Sequence, residues 1–219
     1  MTLVMAPAQT RRIPLWAKLF VTLFAAVLVP VYWREYGPTN FLWFCDAGLL
    51  LTVVALWTES RLLISMNALA LTIPQTIWAI DFVSGGHVLG IARYMFDSNI
   101  PLFTRVLSTF HLWLPVLLIW LTRRVGYDRR ALPWQTGLVT LLLVLSYLFT
   151  DPRHPMAGYP SVAVNVNRVY GPGITDVQTR MPPLAYLGLE ILFFTVCFYF
   201  PTHLLFRKIF ARPRNGNVE

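Results

Sequence analysis

Six long apolar runs, parted by short polar or basic stretches, set the pattern of this chain. They cover Leu15–Trp33, Asn40–Trp57, Leu62–Val83, Val106–Thr122, Trp134–Thr150 and Leu184–Phe206. Each is near the roughly 20 residues that an α-helix needs to cross a hydrocarbon layer. Trp16 and Trp33 bracket the first run as interfacial anchors. The pattern predicts an all-α integral membrane protein, a six-helix bundle forming a single transmembrane domain over residues 1–219. The fourth and fifth runs are short, which predicts tilt or a shifted boundary. No internal repeat, low-complexity tract or soluble domain interrupts the runs.

Composition agrees with this pattern. Of 219 residues, 56% are hydrophobic and only 13% charged, about half the roughly 25% charge of a soluble domain. The net charge of +8 would suit nucleic acid if it were concentrated. It lies instead in small clusters between apolar runs, so membrane lipids and not nucleic acid are the expected partners. With the N-terminus inside, the cytoplasmic side collects Arg11, Arg12, Lys18, Arg61, Arg123, Arg124, Arg129, Arg130, Arg207, Lys208, Arg212 and Arg214. The outer side keeps Arg34, Arg93, Arg105, Arg153, Arg168 and Arg180. This positive-inside bias predicts both termini in the cytoplasm; a bacterial inner-membrane location is a separate expectation. Thr10-Arg11-Arg12 faintly resembles a twin-arginine signal, but the run after it is too long for a signal core, which predicts a retained first span.

The outer connections carry more information than the inner ones. Residues 84–104 begin Ser84-Gly85-Gly86-His87 and contain Arg93, Tyr94, Phe96 and Asp97, a mix suited to a short interfacial helix. Residues 151–183 form the longest loop, with Tyr170-Gly171-Pro172-Gly173 read as a defined turn.

Polar residues inside the runs cost about 2.5–3.5 kcal/mol each at mid-span, so their placement matters. Asp46, His111 and Glu190 each lie about six residues below the outer end of their runs. Asp81 is close to the outer end of the third run, and Gln75 lies one to two turns deeper. All four ionisable groups thus fall in the outer half, roughly 5–10 Å below the surface. Helical spacing adds neighbours: Thr39 and Trp43 beside Asp46, Asn67 and Pro74 on the face of Asp81, Thr104, Ser108 and Pro115 beside His111, Tyr186 and Cys197 beside Glu190. If these faces meet, they enclose a polar site opening outward. Asp46, Thr39 and His111 are its candidate catalytic residues. Glu190, Asp81, Asn67 and Ser108 are candidate ligand contacts, together with Asn167 and Arg168 from the long loop. A structural use of each, paired between helices or wetted by headgroups, is the competing reading.

The chemistry stays open at this point. A histidine oriented by a carboxylate would serve as general base for Thr39, Ser108 or Cys45. The same groups at one depth suit a proton relay or cation site. Cys45 and Cys197 differ in depth by about 12 Å, too far for a disulfide. No zinc spacing, phosphate-binding glycine loop or serine-hydrolase elbow is present. His111 and His203 lie towards opposite faces, which disfavours a bis-histidine haem, and no cofactor or metal is expected.

Four segments carry a family resemblance: Tyr36-Gly37-Pro38-Thr39-Asn40-Phe41-Leu42-Trp43-Phe44; Tyr94-Met95-Phe96-Asp97 with Ile100-Pro101-Leu102-Phe103; Gly126-Tyr127-Asp128-Arg129-Arg130-Ala131-Leu132-Pro133; and Asn165-Val166-Asn167-Arg168-Val169-Tyr170-Gly171-Pro172-Gly173. On these the chain resembles bacterial proteins called simply membrane-associated proteins, a likeness that implies topology and no activity. Thr39-Asn40 and His111 followed by Pro115 are also similar in order to the androgen-dependent TFPI-regulating family of multipass threonine hydrolases. That likeness implies Thr39 as nucleophile and His111 as base. Three functions follow as expectations: a membrane protein binding a small molecule or lipid around Asp46, His111 and Glu190; a membrane-embedded lipid or acyl hydrolase; and a proton-coupled transporter.

Overall fold

The first helix, α1 (Leu15–Tyr36), buries Ala17, Val21, Ala25, Leu28 and Tyr32, a stripe that steps three or four residues at a time. Its remaining faces are apolar too, with Leu19, Phe20, Leu23 and Val27 exposed. A helix apolar all round suits hydrocarbon and not water, because its backbone groups are satisfied internally. The computed structural model describes residues 13–159, 161–173 and 177–210, and every regular element among them is helical. The expected positive-inside residues Arg11, Arg12, Arg212 and Arg214 lie outside the described residues.

Five helical segments are long and apolar enough to cross a membrane. They are α1; α3 (Arg61–Val83); Leu102–Val125, built of α4 (Leu102–Leu107) and α5 (Phe110–Val125); α6 (Ala131–Phe149); and Pro183–Ile209. The last combines α7 (Pro183–Phe193), a π-helical stretch Phe194–Tyr199, and α8 (Phe200–Ile209). A sixth apolar helix, α2 (Phe44–Trp57), has only 14 residues. The sequence suggested a run from Asn40. Instead Pro38–Leu42 form a tight 3-10 turn and Trp43 is extended at ψ 134°, so the α-helix starts only at Phe44.

Helix ends sort into two groups. At one end, Lys18 of α1 forms an ion pair with Glu59 at 2.7 Å. There too, the Arg61 guanidinium donates to the carbonyls of Gly126 and Tyr127, and the Tyr127 N–H donates to Phe210 O. The starts of α1, α3 and α6 and the ends of α2, α5 and α8 therefore share this basic end, and direction alternates along the chain once the short α2 is counted with the five long segments. Arg34, Arg93, Arg105, Arg153 and Arg168 belong to the opposite, loop-rich end.

Packing radiates from α3, the most enclosed of the long helices, against α2, α5 and α6. Gly48 brings α2 close: a Cβ there would stand 2.6 Å from Leu71 Cδ1. Small residues allow such approach where lipid offers no hydrophobic drive for association. One turn deeper, Asn67 Nδ2 donates to Thr52 Oγ1 at 3.2 Å across the same seam. α1 joins α5 through aromatic contacts, Phe20–Trp113 at 4.9 Å and Phe24–Trp113 at 5.0 Å.

At the loop-rich end the long connections fold onto the bundle. Residues 84–92 turn back over the end of α3, and a 3-10 turn at Arg93–Phe96 stands where the sequence suggested an interfacial helix. The 161–173 segment crosses to the start of α2. Ser161 and Ala163 donate their N–H groups to Glu35 O and Tyr36 O at 3.0 and 3.1 Å.

Candidate functional site

The break between α4 and α5 is the local feature on which the site is built. Ser108 and Thr109 donate N–H bonds three residues back, to Arg105 O and Val106 O, so the helix tightens there. That turn aims the Ser108 hydroxyl at α1, where it meets the Tyr32 hydroxyl at 2.5 Å. Tyr94, brought down by the 84–104 connection, hydrogen-bonds the same serine. Burial pushes the Tyr94 hydroxyl well above its ordinary pKa, with the Ser108 bond opposing, so it remains protonated at physiological pH.

His111 lies one turn along α5, buried, with Nδ1 2.7 Å from Ser108 O. A carbonyl only accepts, so Nδ1 carries a proton, and in the Nδ1–H tautomer Nε2 is left as an acceptor. The ring is held between Trp78 of α3, centroids 4.5 Å apart, and Phe110, at 4.2 Å.

Asp46 sits in the first turn of α2, buried. Its Oδ2 accepts from Asn40 Nδ2 at 3.2 Å and faces the Cys45 thiol at 3.8 Å. Its Oδ1 is buried and has no hydrogen-bond partner among the described residues. Tyr32, Tyr36 and Tyr94 lie within electrostatic range of its carboxyl group. His111, Ser108, Tyr32 and Tyr94 thus form one hydrogen-bonded network, and Asp46 borders it with its own side-chain bonds going to Asn40 and Cys45.

Gln75 of α3 belongs to the same level. The α2–α3 seam pairs Thr52 with Asn67 and Gly48 with Leu71, and the same step of four on each helix sets Gln75 level with Phe44, in the first turn of α2 that carries Asp46. Both Gln75 amide atoms, Oε1 and Nε2, are buried without a partner among the described residues, and so is Trp78 Nε1.

The other sequence candidates are used by the fold. The Asp81 Oδ1 accepts the N–H groups of Val88, Leu89 and Gly90, and its Oδ2 accepts that of Ala92 at 2.8 Å. Thr39 donates to Ala163 O at 3.2 Å, and no hydrogen bond joins it to His111 among the described residues. Asn67 ties α3 to α2. Asn167 accepts from Phe44 N at 3.2 Å and donates to Leu42 O and Ser146 Oγ at 2.8 and 3.1 Å. Arg168 donates to Pro172 O. Glu190 bonds Tyr186 one turn earlier, with Arg168 as its neighbouring charge. Of the four ionisable residues at similar depth, two lie in or beside the network and two are engaged elsewhere.

Sequence reasoning missed Tyr32, Tyr94 and Trp78. Aromatic residues near span ends carry the signature of an interfacial belt, and nothing in their spacing marks which of them turn inward. Among known proteins the chain matches no protein-family model, no curated protein and no solved structure, so the family resemblances rest on the quoted residues alone.

Proposed function

We propose that this is a six-span protein of the bacterial inner membrane, with the basic end cytoplasmic, that binds a small polar molecule or a lipid headgroup between α1, α2, α3 and α5. One observation carries the reading. Among the described residues, five buried side-chain polar atoms have no partner, and four of them are Asp46 Oδ1, Gln75 Oε1, Gln75 Nε2 and Trp78 Nε1. Each such atom costs about 1–3 kcal/mol when left unpaired. A bound group that offers donors to Asp46 and Gln75 Oε1, and acceptors to Gln75 Nε2 and Trp78, would satisfy all four. An amino alcohol or polyol has this mixed character. His111 Nε2 adds an acceptor at the border, and the close Gly48–Leu71 approach of α2 to α3 lies one turn deeper.

The test is mass spectrometry of the purified full chain, its bound molecules extracted and compared with those of Gln75→Met and Asp46→Asn. The expected result is about one equivalent of a polar small molecule or lipid in the parent protein and its loss from both variants. Gln75→Met replaces an unpaired amide by an apolar chain of similar volume, so the ligand-free variant should melt higher, by about 1–3 kcal/mol of stability. If both variants carry the same complement as the parent, the site reading is wrong.

A further inference from the structure

A second feature lies at the basic end, away from the polar network. A cleft of about 490 Å³ opens on the outside of the bundle between α2, α3 and α6. Leu51, Leu63, Met66, Trp134, Gly137 and Leu141 line it. Gly137 gives the cleft its depth, since a Cβ there would meet nothing within 4 Å.

The rim differs in character from the floor. Arg130, Trp134, Gly137 and Leu141 follow one another along one face of α6 at helical spacing, and Arg130 continues the helical backbone at φ −70°, ψ −12°. Its guanidinium binds Asp128 at 2.9 Å while its side chain stays 71% exposed. Arg129 beside it is exposed, as are Arg123 and Arg124 at the end of α5. Trp134 is 61% exposed at the level where the apolar lining gives way to charge. Tryptophan is favoured at the membrane–water interface, and clustered arginines there attract anionic headgroups.

We infer that this cleft is a binding site for an anionic phospholipid, with one acyl chain lying along Gly137 and its phosphate held by Arg129 and Arg130 beside the α6 N-terminus. The dispersion contacts of the cleft hold the chain, and the charge selects the headgroup. The positive end of the α6 dipole adds to the selection. This assignment is independent of the polar site between α1, α2, α3 and α5.

The experiment is native mass spectrometry of the full-length protein, equilibrated with equal amounts of phosphatidylglycerol and phosphatidylcholine of the same chain length. One to two arginines correspond to a preference of about five- to thirtyfold for phosphatidylglycerol. Arg129→Gln with Arg130→Gln should abolish that preference while a lipid of either headgroup is still retained. Gly137→Leu, which points into open space and leaves the packed core untouched, should abolish retention of both lipids. The proposal fails if the parent protein does not discriminate, which marks annular lipid only. It also fails if Gly137→Leu retains phosphatidylglycerol as the parent does.

Discussion

Asp81 is a fully buried carboxylate near the end of a long apolar helix, the kind of residue that sequence alone marks for function. Its environment shows a different use. Four backbone N–H groups of the 88–92 turn converge on its two oxygens, so the connection that delivers Tyr94 to Ser108 is fastened to α3. Charge-assisted bonds of this kind are about twice as strong as neutral ones. Asp81→Ala should cost about 2–3 kcal/mol and speed amide exchange over residues 88–92, as read by hydrogen–deuterium mass spectrometry. Unchanged exchange there would mean the turn holds without the carboxylate. Asp46 has the opposite environment, one oxygen bonded and one unpaired, and the contrast separates a fold-making carboxylate from a candidate binding one.

At the scale of helices, the α2–α3 seam decides how close the polar network can sit. Gly48→Val would drive a branched side chain into Leu71, at the cost of about 1–3 kcal/mol for an overpacked contact. Thermal melting in detergent should show that loss, and adding Leu71→Ala should recover part of it. A Gly48→Val protein as stable as the parent would show that the seam can open. Much at this scale was legible beforehand. The six apolar runs each overlap a helix of the structure, and boundaries moved by a few residues, as where the turn from Pro38 delays α2 to Phe44 and Pro101 starts α4 early. Asp46, Ser108 and His111 stood out because polar residues in apolar runs are few. What the sequence did not carry is partnership. Depth along a helix follows from counting residues, but which faces meet depends on distant segments such as 88–92 and 161–173, whose turns leave no periodic signal. Glu190 had the right depth and a different neighbour.

For the molecule as a whole, orientation is the property to establish. Six spans with the basic end inside predict that Ser161→Cys reacts with a membrane-impermeant maleimide on intact spheroplasts and that Arg129→Cys reacts only after permeabilisation, in a background with Cys45 and Cys197 replaced by alanine. Reversed labelling would invert the topology, and equal labelling would remove α6, the helix between the two positions, as a span. That short helix depends on a distant residue: Asn167 bonds Phe44 N, Leu42 O and Ser146 Oγ at once. At about 1.5 Å per residue its 14 residues rise only about 21 Å, short of the roughly 30 Å hydrocarbon layer. Synthesis on the ribosome therefore imposes an order. α1, α2 and α3 leave the ribosome long before residue 167 does, so the start of α2 must wait, shallow and with its first backbone groups in the headgroup water, until most of the chain has been made. Any product ending before that asparagine would lack the side chain that bonds the start of α2.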